Sequence, residues 1–513
     1  MSDKSLYEHI LSHITNEKLS EDFPLPDKDI AGGLPLADGV WDGIIRYHVA
    51  PCGLGPEGTR ILAKALHAAA ASEFDEADSL FCELGKEHRA IAVVDSLQTY
   101  LIKHIKKFPA EGIYQTAVHL VLHSKNKESV KFGIEMLELF TSLNEQAMSI
   151  LRNIGLCEEF TLFVLWALRK RENGNEEIFS LAQRVHGWGK IHAVDLLSPD
   201  TEEIKDWLLL HGVYNDIQNA YSALMVWEKA DVPSRLLAKL TDAQFSAVAD
   251  TINALLEEGP VPGISHVAEA ETHLMHFLEQ ASERDLSLSQ YEVILNIRNW
   301  SAWKAGPAQS NEEKEALLLS SAAETLLTTP ACLAAVQNAV NVGKGLRLAR
   351  ALGIPFLKEL YRCLEGDFSQ YCSDCGYLMA SPDYVDATVK LFEERLPLNK
   401  LVGEPSDQTL SGENAEAHSR LTLILQELAD KPLVGTTLLR TGLRSADAAN
   451  RNTALQTLLG WTKEKQQPLF ELSGELYEEV TALKQREVHE AAMEKANKLL
   501  NNEIPTWEEE ENE

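Results

Sequence analysis

The residues of this chain best placed to do chemistry lie between 265 and 280, in the stretch SHVAEAETHLMHFLEQ. Read as one helix, the stretch gathers His266, Glu269, His273, His276 and Gln280 into a polar arc of about 80°. Beside it runs an apolar arc of Val267, Ala270, Leu274, Phe277 and Leu278. Neutral imidazoles and a carboxylate ligate transition metals, and the same groups relay protons near neutral pH. His266, Glu269, His273 and His276 are therefore the candidate metal ligands. A site built on one helix needs a further ligand from elsewhere, which the sequence does not identify; the alternative is a solvent-facing histidine stripe.

Other chemistry-bearing patterns fall short of a site. In RVHGWGKIHAVDLL (184–197), Gly189-Lys190 precedes Ile191 where a P-loop needs Ser or Thr to reach the metal. The stretch reads instead as a joint between helices, with Gly187 and Gly189 supplying positive φ and Trp188 covering the turn. Gly53, Gly55 and Gly58 match the dinucleotide-binding glycine spacing, but no second strand with an acidic end follows, and Pro56 suits a helix start. Cys372 and Cys375 lack two further zinc ligands nearby. His9/His13 and His119/His123 lack the glutamate of a zinc protease helix, and no G-x-S-x-G elbow occurs. No cofactor is expected. NIRNWSAW (296–303) sets Trp300 and Trp303 near Arg298, a candidate partner-binding cluster with inter-helix packing as its alternative.

Bulk properties narrow the classes. At 513 residues the chain exceeds the roughly 100–200 of a typical domain, so several domains or an array of small units is expected. A formal charge of −31 argues against nucleic acid as partner, because that binding rests on neutralising phosphates. The one basic run, KHIKKF (103–108), reads as the solvated face of a helix. The longest strongly apolar run, FTLFVLWAL (160–168), is far short of the ~20 residues of a membrane span, so a membrane is not expected as partner. A polar start and seven scattered cysteines point to the reducing cytoplasm.

Apolar residues recur every three or four positions almost throughout, as at Ile134, Leu137 and Phe140, and alternating β-branched runs are scarce. The expected class is all-α, with short helices divided by turns such as SKNKES (124–129) and RSADAAN (444–450). SKNKESVKFGIEMLELF (124–140) aligns loosely with SADAANRNTALQTLLGW (445–461). A basic residue followed three later by Ala recurs at helix starts, as at Arg89/Ala92, Lys190/Ala193, Arg235/Ala238 and Arg451/Ala454. In RNTALQTLL and KIHAVDLL the chain resembles HEAT-repeat α-solenoids, which implies an irregular solenoid of stacked helical hairpins with an irregular N-terminal segment. RVHGWGKIHAVDLL also resembles a stretch of bacterial proteins labelled limonene hydroxylase, which implies an oxygenase needing a metal or organic cofactor.

Composition divides the chain into an N-terminal helix and irregular segment (1–58), a helical-repeat region (59–303), a second helical region (314–395), a linker or long loop (396–417), a C-terminal helical-repeat region (418–500) and an acidic tail (501–513). The expected function is a non-enzymatic scaffold binding a protein or peptide partner along a groove, the acidic balance favouring a basic segment. A metal-dependent enzyme, of the oxygenase kind that the second resemblance implies, is the alternative.

Overall fold

The computed structural model describes residues 4–20, 23–31, 34–49, 53–306, 310–410 and 414–504. Cys52 and the tail from 505 onward lie outside them. The all-α class stands: among the described residues strand is confined to two minimal two-stranded pairs, one of Ile14–Thr15 with Lys18–Leu19. Among the described residues no single helix is long and apolar enough to cross a membrane. The chain divides into two compact units, 1–29 with 35–326, and 30–34 with 327–513.

In the first unit, helices joined by short turns pack on each other: Pro56–Ala70 on Phe74–Glu87, and Ala110–His123 on Lys127–Glu138. Pro56 opens its helix at the position where its missing N–H costs nothing. The segment before it, Val40–His48, is also helical, so the glycine pattern at 53–58 follows a helix where a dinucleotide fold needs a strand.

Helix Lys127–Glu138 is buried on every side although it carries Lys127, Glu128, Lys131, Glu135 and Glu138. Charges so placed must find partners within the protein. The Lys131 ammonium lies 2.7 Å from Glu159 and 2.8 Å from Asp42, with no exposed surface of its own. Lys127 lies 2.7 Å from Asp29, which Arg89 grips with both guanidinium nitrogens at 3.0 and 3.2 Å. Glu128 accepts the Ala90 N–H at 2.7 Å, and Glu159 accepts the Gly39 N–H at 2.8 Å. Burial, only partly offset by Lys131 and reinforced by Glu159 and Glu128, pushes the Asp42 carboxyl up to about 7. Burial and the neighbouring Glu138 likewise hold Glu135 well above the usual carboxyl range.

The second unit is organised on helix Ala448–Lys465, against which Ala415–Glu427, Thr436–Leu443 and Glu490–Leu500 pack. It too hides a cation: Arg451, fully buried, grips Glu487 at 2.7 Å through both Nε and Nη2 and donates to the carbonyls of Ser406, Ser445 and Ala446. Trp461 is fully buried and donates its indole N–H to the Leu428 carbonyl at 2.7 Å. The stretch expected as a loop or linker at 396–417 carries the short helix Leu398–Leu401 and a bridge from Val402 to Ser445.

The two stretches that align in sequence start their helices in the same way. Asn126 accepts from the N–H of Ser129 at 3.0 Å, and Asp447 from that of Asn450 at 3.1 Å. Two residues earlier, Ser124 accepts the Asn126 N–H and Ser445 the Asp447 N–H, at 3.2 and 3.1 Å. A side chain supplies the partner that each free helix-end N–H lacks.

Removing a buried cation leaves its carboxylates uncompensated, which costs about 3–5 kcal/mol. Lys131→Met and Arg451→Met are each expected to lower the urea midpoint of unfolding by that equivalent. Lys131 and Arg451 lie in different compact units, so each substitution should shift the transition of its own unit, and the double variant should show both shifts at their single-variant sizes. Unchanged midpoints would show that these pairs contribute nothing net.

Candidate functional site

The turn RVHGWGKIH borders a cleft of about 510 Å³ in the first unit. Its polar lining comes from Ser20, Asp38, Glu158, Arg184, His186 and Asp216, and its apolar wall from Leu19, Phe23, Leu156 and Val185. Each polar group is placed by a local device. Glu158 is the first residue of helix Glu158–Arg169. His186 is the extended residue that precedes helix Gly187–Leu196. Asp216 has a left-handed backbone at φ +67°. It sits in a turn organised by Asn215, whose side chain accepts from the N–H groups of Ile217 and Gln218 and donates to the Val213 and Gln218 carbonyls. Asp38 lies beside Gly39, whose φ of +75° turns its N–H onto Glu159.

The glycines of the turn have a steric reason. Gly187, at φ +50°, faces Glu158 so closely that a Cβ there would meet the carboxylate at 1.9 Å. The Glu158 carboxylate in turn accepts the backbone N–H of Trp188. The anion-binding end of this helix is thus already filled by a side chain of the protein itself. Gly189 differs from expectation: it is helical rather than positive in φ, and it lets the helix press against Thr161, whose Oγ1 a Cβ would meet at 2.8 Å. Lys190 turns away to lie over the Trp207 ring at 5.4 Å.

Glu158 and Glu159 are neighbours with opposite electrostatics. Burial, followed by the charges of Asp38 and Asp216, pushes the Glu158 carboxyl up to about 7, against the opposing Trp188 N–H. Burial also works against Glu159, but Lys131 and Lys127 outweigh it and hold that carboxyl low. Asp38 is raised chiefly by burial, with Lys28 at 3.5 Å as its counter-ion. His186 lies 3.3 Å from Asp216 at the exposed rim. A carboxyl near 7 beside an open cleft can exchange a proton at neutral pH or receive a cation.

No known family, curated protein or solved structure matches the chain.

Behind the cleft, Trp188 is almost fully buried and packs edge-on against Tyr221 at 4.8 Å. Tyr47 stacks on His192 with centroids 5.7 Å apart. His192 is fully buried, and burial, then Arg46 and Lys131, push it down to about 3, so it stays neutral.

The expected metal ligands are not on one helix. The helix begins at Ala270, after a 3-10 turn Ile264–His266 and a left-handed Glu269 at φ +52°. His266 therefore leaves the arc. Gln280 turns inward, accepting the Leu240 N–H and donating to the Leu236 and Ala238 carbonyls. His273 and His276 remain on the helix, each with a buried Nδ1 that has no hydrogen-bond partner. Among the described residues no group of three or more His, Cys, Asp or Glu is arranged to hold a metal ion. Cys372 and Cys375 are buried free thiols, Cys375 pushed up to about 12 by burial.

The partner-binding candidates lie on helix Leu288–Ala305. Arg298 pairs with Glu324 at 2.8 Å, and Trp300 lies under the Lys304 ammonium at 5.1 Å. Trp303 is 81% exposed. Residues two apart on a helix face different ways, so Arg298 and Trp300 do not form one patch.

Sequence reasoning missed Asp38, Glu158 and Asp216. The turn was visible, but its acidic partners come from positions 20 to 150 residues away in sequence, roughly the separations that only packing reveals.

The Glu158 proton has a defined sign in stability. Between pH 4.5, its ordinary value, and about 7 the folded chain keeps a proton that the unfolded chain releases, so this group's contribution falls as pH rises through that window. Glu158→Gln removes the effect. The stability of the variant relative to the parent should rise by on the order of 3 kcal/mol between pH 4 and pH 8. Urea titrations at both pH values test this, and a constant difference would contradict it.

Proposed function

We propose that the chain is a non-enzymatic, HEAT-like helical-repeat scaffold, and that a basic segment of a protein partner enters the cleft at Glu158. The observation that carries this reading is the convergence of Asp38, Glu158 and Asp216 on one cleft with an apolar wall. Glu158 carries its charge there against burial and against two other carboxylates. An incoming ammonium or guanidinium relieves that repulsion, while its aliphatic stem covers Leu19, Phe23 and Val185. Succession of packed helix pairs, and the shared Ser–Asx helix starts at 124–129 and 445–450, support the solenoid part of the reading. Trp303, largely exposed, offers an aromatic anchor elsewhere on the same unit. Free cysteines agree with a cytoplasmic setting.

The test is calorimetric titration with a lysine- and arginine-rich peptide, beside an acidic control peptide. Binding should release roughly half a proton at pH 7, because the cation drives Glu158 to ionise. Proton release is read by repeating the titration in buffers of different ionisation enthalpy. Asp216→Asn, at the exposed rim, should weaken binding by about two- to five-fold, and Glu158→Gln should abolish the proton release. Equal binding of both peptides would sink the reading.

A metal-dependent enzyme, of the oxygenase kind that the limonene hydroxylase resemblance implies, is the second reading, favoured by the unpartnered buried Nδ1 atoms of His273 and His276. Elemental analysis separates the two. Stoichiometric iron, copper or zinc, lost in His273→Ala, would favour the enzyme over the scaffold.

A further inference from the structure

The basic run at 103–108 does not lie along one helix face, since only Lys103 belongs to the helix before it. It turns a corner between helix Ala90–Lys103 and helix Ala110–His123 through the 3-10 turn Ile105–Lys107. Lys103, Lys106 and Lys107 are all exposed there, and Ile102 and Ile105 stand 65% and 69% exposed between them. In a chain with 78 acidic residues, none of these three lysines has a carboxylate at ion-pairing distance among the described residues. The corner is nevertheless anchored from below. Leu101 and Phe108 are buried, and Phe108 packs its ring on His67 at 5.0 Å. Two isoleucines held out into solvent by a well-packed base, among three unpaired lysines, are not explained by folding.

We propose that this corner docks the protein on the surface of an anionic lipid bilayer, the isoleucines entering the headgroup boundary and the lysines pairing with lipid phosphates and carboxylates. The shape selects this occupant. Side chains two-thirds exposed are knobs, and among lysines without carboxylate partners they match an anionic bilayer, whose headgroups meet the cations while the acyl boundary takes the apolar tips. The isoleucines argue equally against nucleic acid, whose phosphate backbone gains nothing from them. No membrane span is needed for such docking. The expectation that a membrane plays no part rested on the lack of a long apolar run, which bears only on crossing one. The large negative charge of the whole chain does not forbid contact, because within a Debye length of roughly 8 Å only the local charges count. Each lysine near an anionic surface adds about five-fold in partition, so three add on the order of a hundred-fold.

The experiment is co-sedimentation of the full chain with vesicles of phosphatidylcholine alone or with about a third phosphatidylserine, at physiological salt. Binding is expected to the anionic vesicles only. The triple variant Lys103→Glu, Lys106→Glu, Lys107→Glu should lose it by at least the hundred-fold estimated above, and the triple Lys→Arg variant should keep it. Ile102→Ser with Ile105→Ser should weaken it, and Ile105→Trp should show a blue-shifted emission on vesicles. Lys86→Glu, an exposed lysine off the corner, and Glu158→Gln in the cleft should both bind as the parent does, which separates this inference from the cleft reading. Because the substituted side chains are exposed, circular dichroism should show every variant folded. The inference is overturned if anionic vesicles do not bind, if the triple Lys→Glu variant binds as well as the parent, or if heparin or duplex DNA binds while vesicles do not.

Discussion

The first unit depends on an ammonium taken wholly out of water. Lys131 sits at the meeting point of helix Lys127–Glu138, helix Val40–His48 and helix Glu158–Arg169, and its two shortest carboxylate contacts come one from each of the latter two, with Glu128 of its own helix at 3.7 Å. Such a charge has no good alternative position, since displacing any partner leaves an unpaired ion in a low-dielectric interior. Three chain segments are therefore locked at one point. Around it, Lys127, Arg89 and Asp29 carry the same logic outward to the irregular N-terminal segment. The cleft is a consequence: Asp38 and Glu158 both line it, and Gly39 and Glu159, one residue further on in each segment, are tied together by a hydrogen bond.

That arrangement explains how consecutive glutamates acquire opposite roles. Successive side chains at a helix start point about 100° apart, so Glu159 enters the lysine network while Glu158 faces the cleft. One is neutralised by cations and spends its charge on the fold. The other is opposed by burial and by Asp38 and Asp216, and the Trp188 N–H and the charge of Lys28 offset that only in part. The same separation of labour holds for the glycines, which remove side chains where Trp188 and Glu158 must approach. At Gly43 a Cβ would meet the Trp188 ring at 2.2 Å.

How far the sequence could be read follows the range of the interactions. Helices, the N1 proline at Pro56 and the cap pattern at 124–129 and 445–450 arise from near neighbours, and periodicity exposes them. The helix at 265–280 was overextended because its polar and apolar arcs fit a helical wheel, although GPVPG just upstream signals irregular backbone, and Ser265 in fact bonds to Glu258. KHIKKF was read as a helix face because spacing alone does not show where a helix ends. The cleft was illegible for a different reason: Asp38 and Asp216 stand 120 and 58 positions from Glu158, with nothing local to mark them. Buried Lys131 and Arg451 were equally hidden, since a lysine or arginine in a sequence looks solvated until its partners are known.

The long reach of the N-terminal contacts also governs the order in which the protein can be built. His48 bonds to Tyr221 across 173 residues, Arg46 to Asp195 across 149, and Asp42 to Lys131 across 89. During synthesis at about 5–20 residues per second, Val40–His48 must wait roughly ten to thirty seconds for its last partner to emerge. Asp42 meets Lys131 about half-way through that interval, and Arg46 and His48 wait longest for their partners. The early helix pairs from Pro56 to Glu138 close within themselves and can form first. The N-terminal segment is then drawn over them as a late clasp, so its arrival, rather than any step in hairpin formation, marks completion of the first unit.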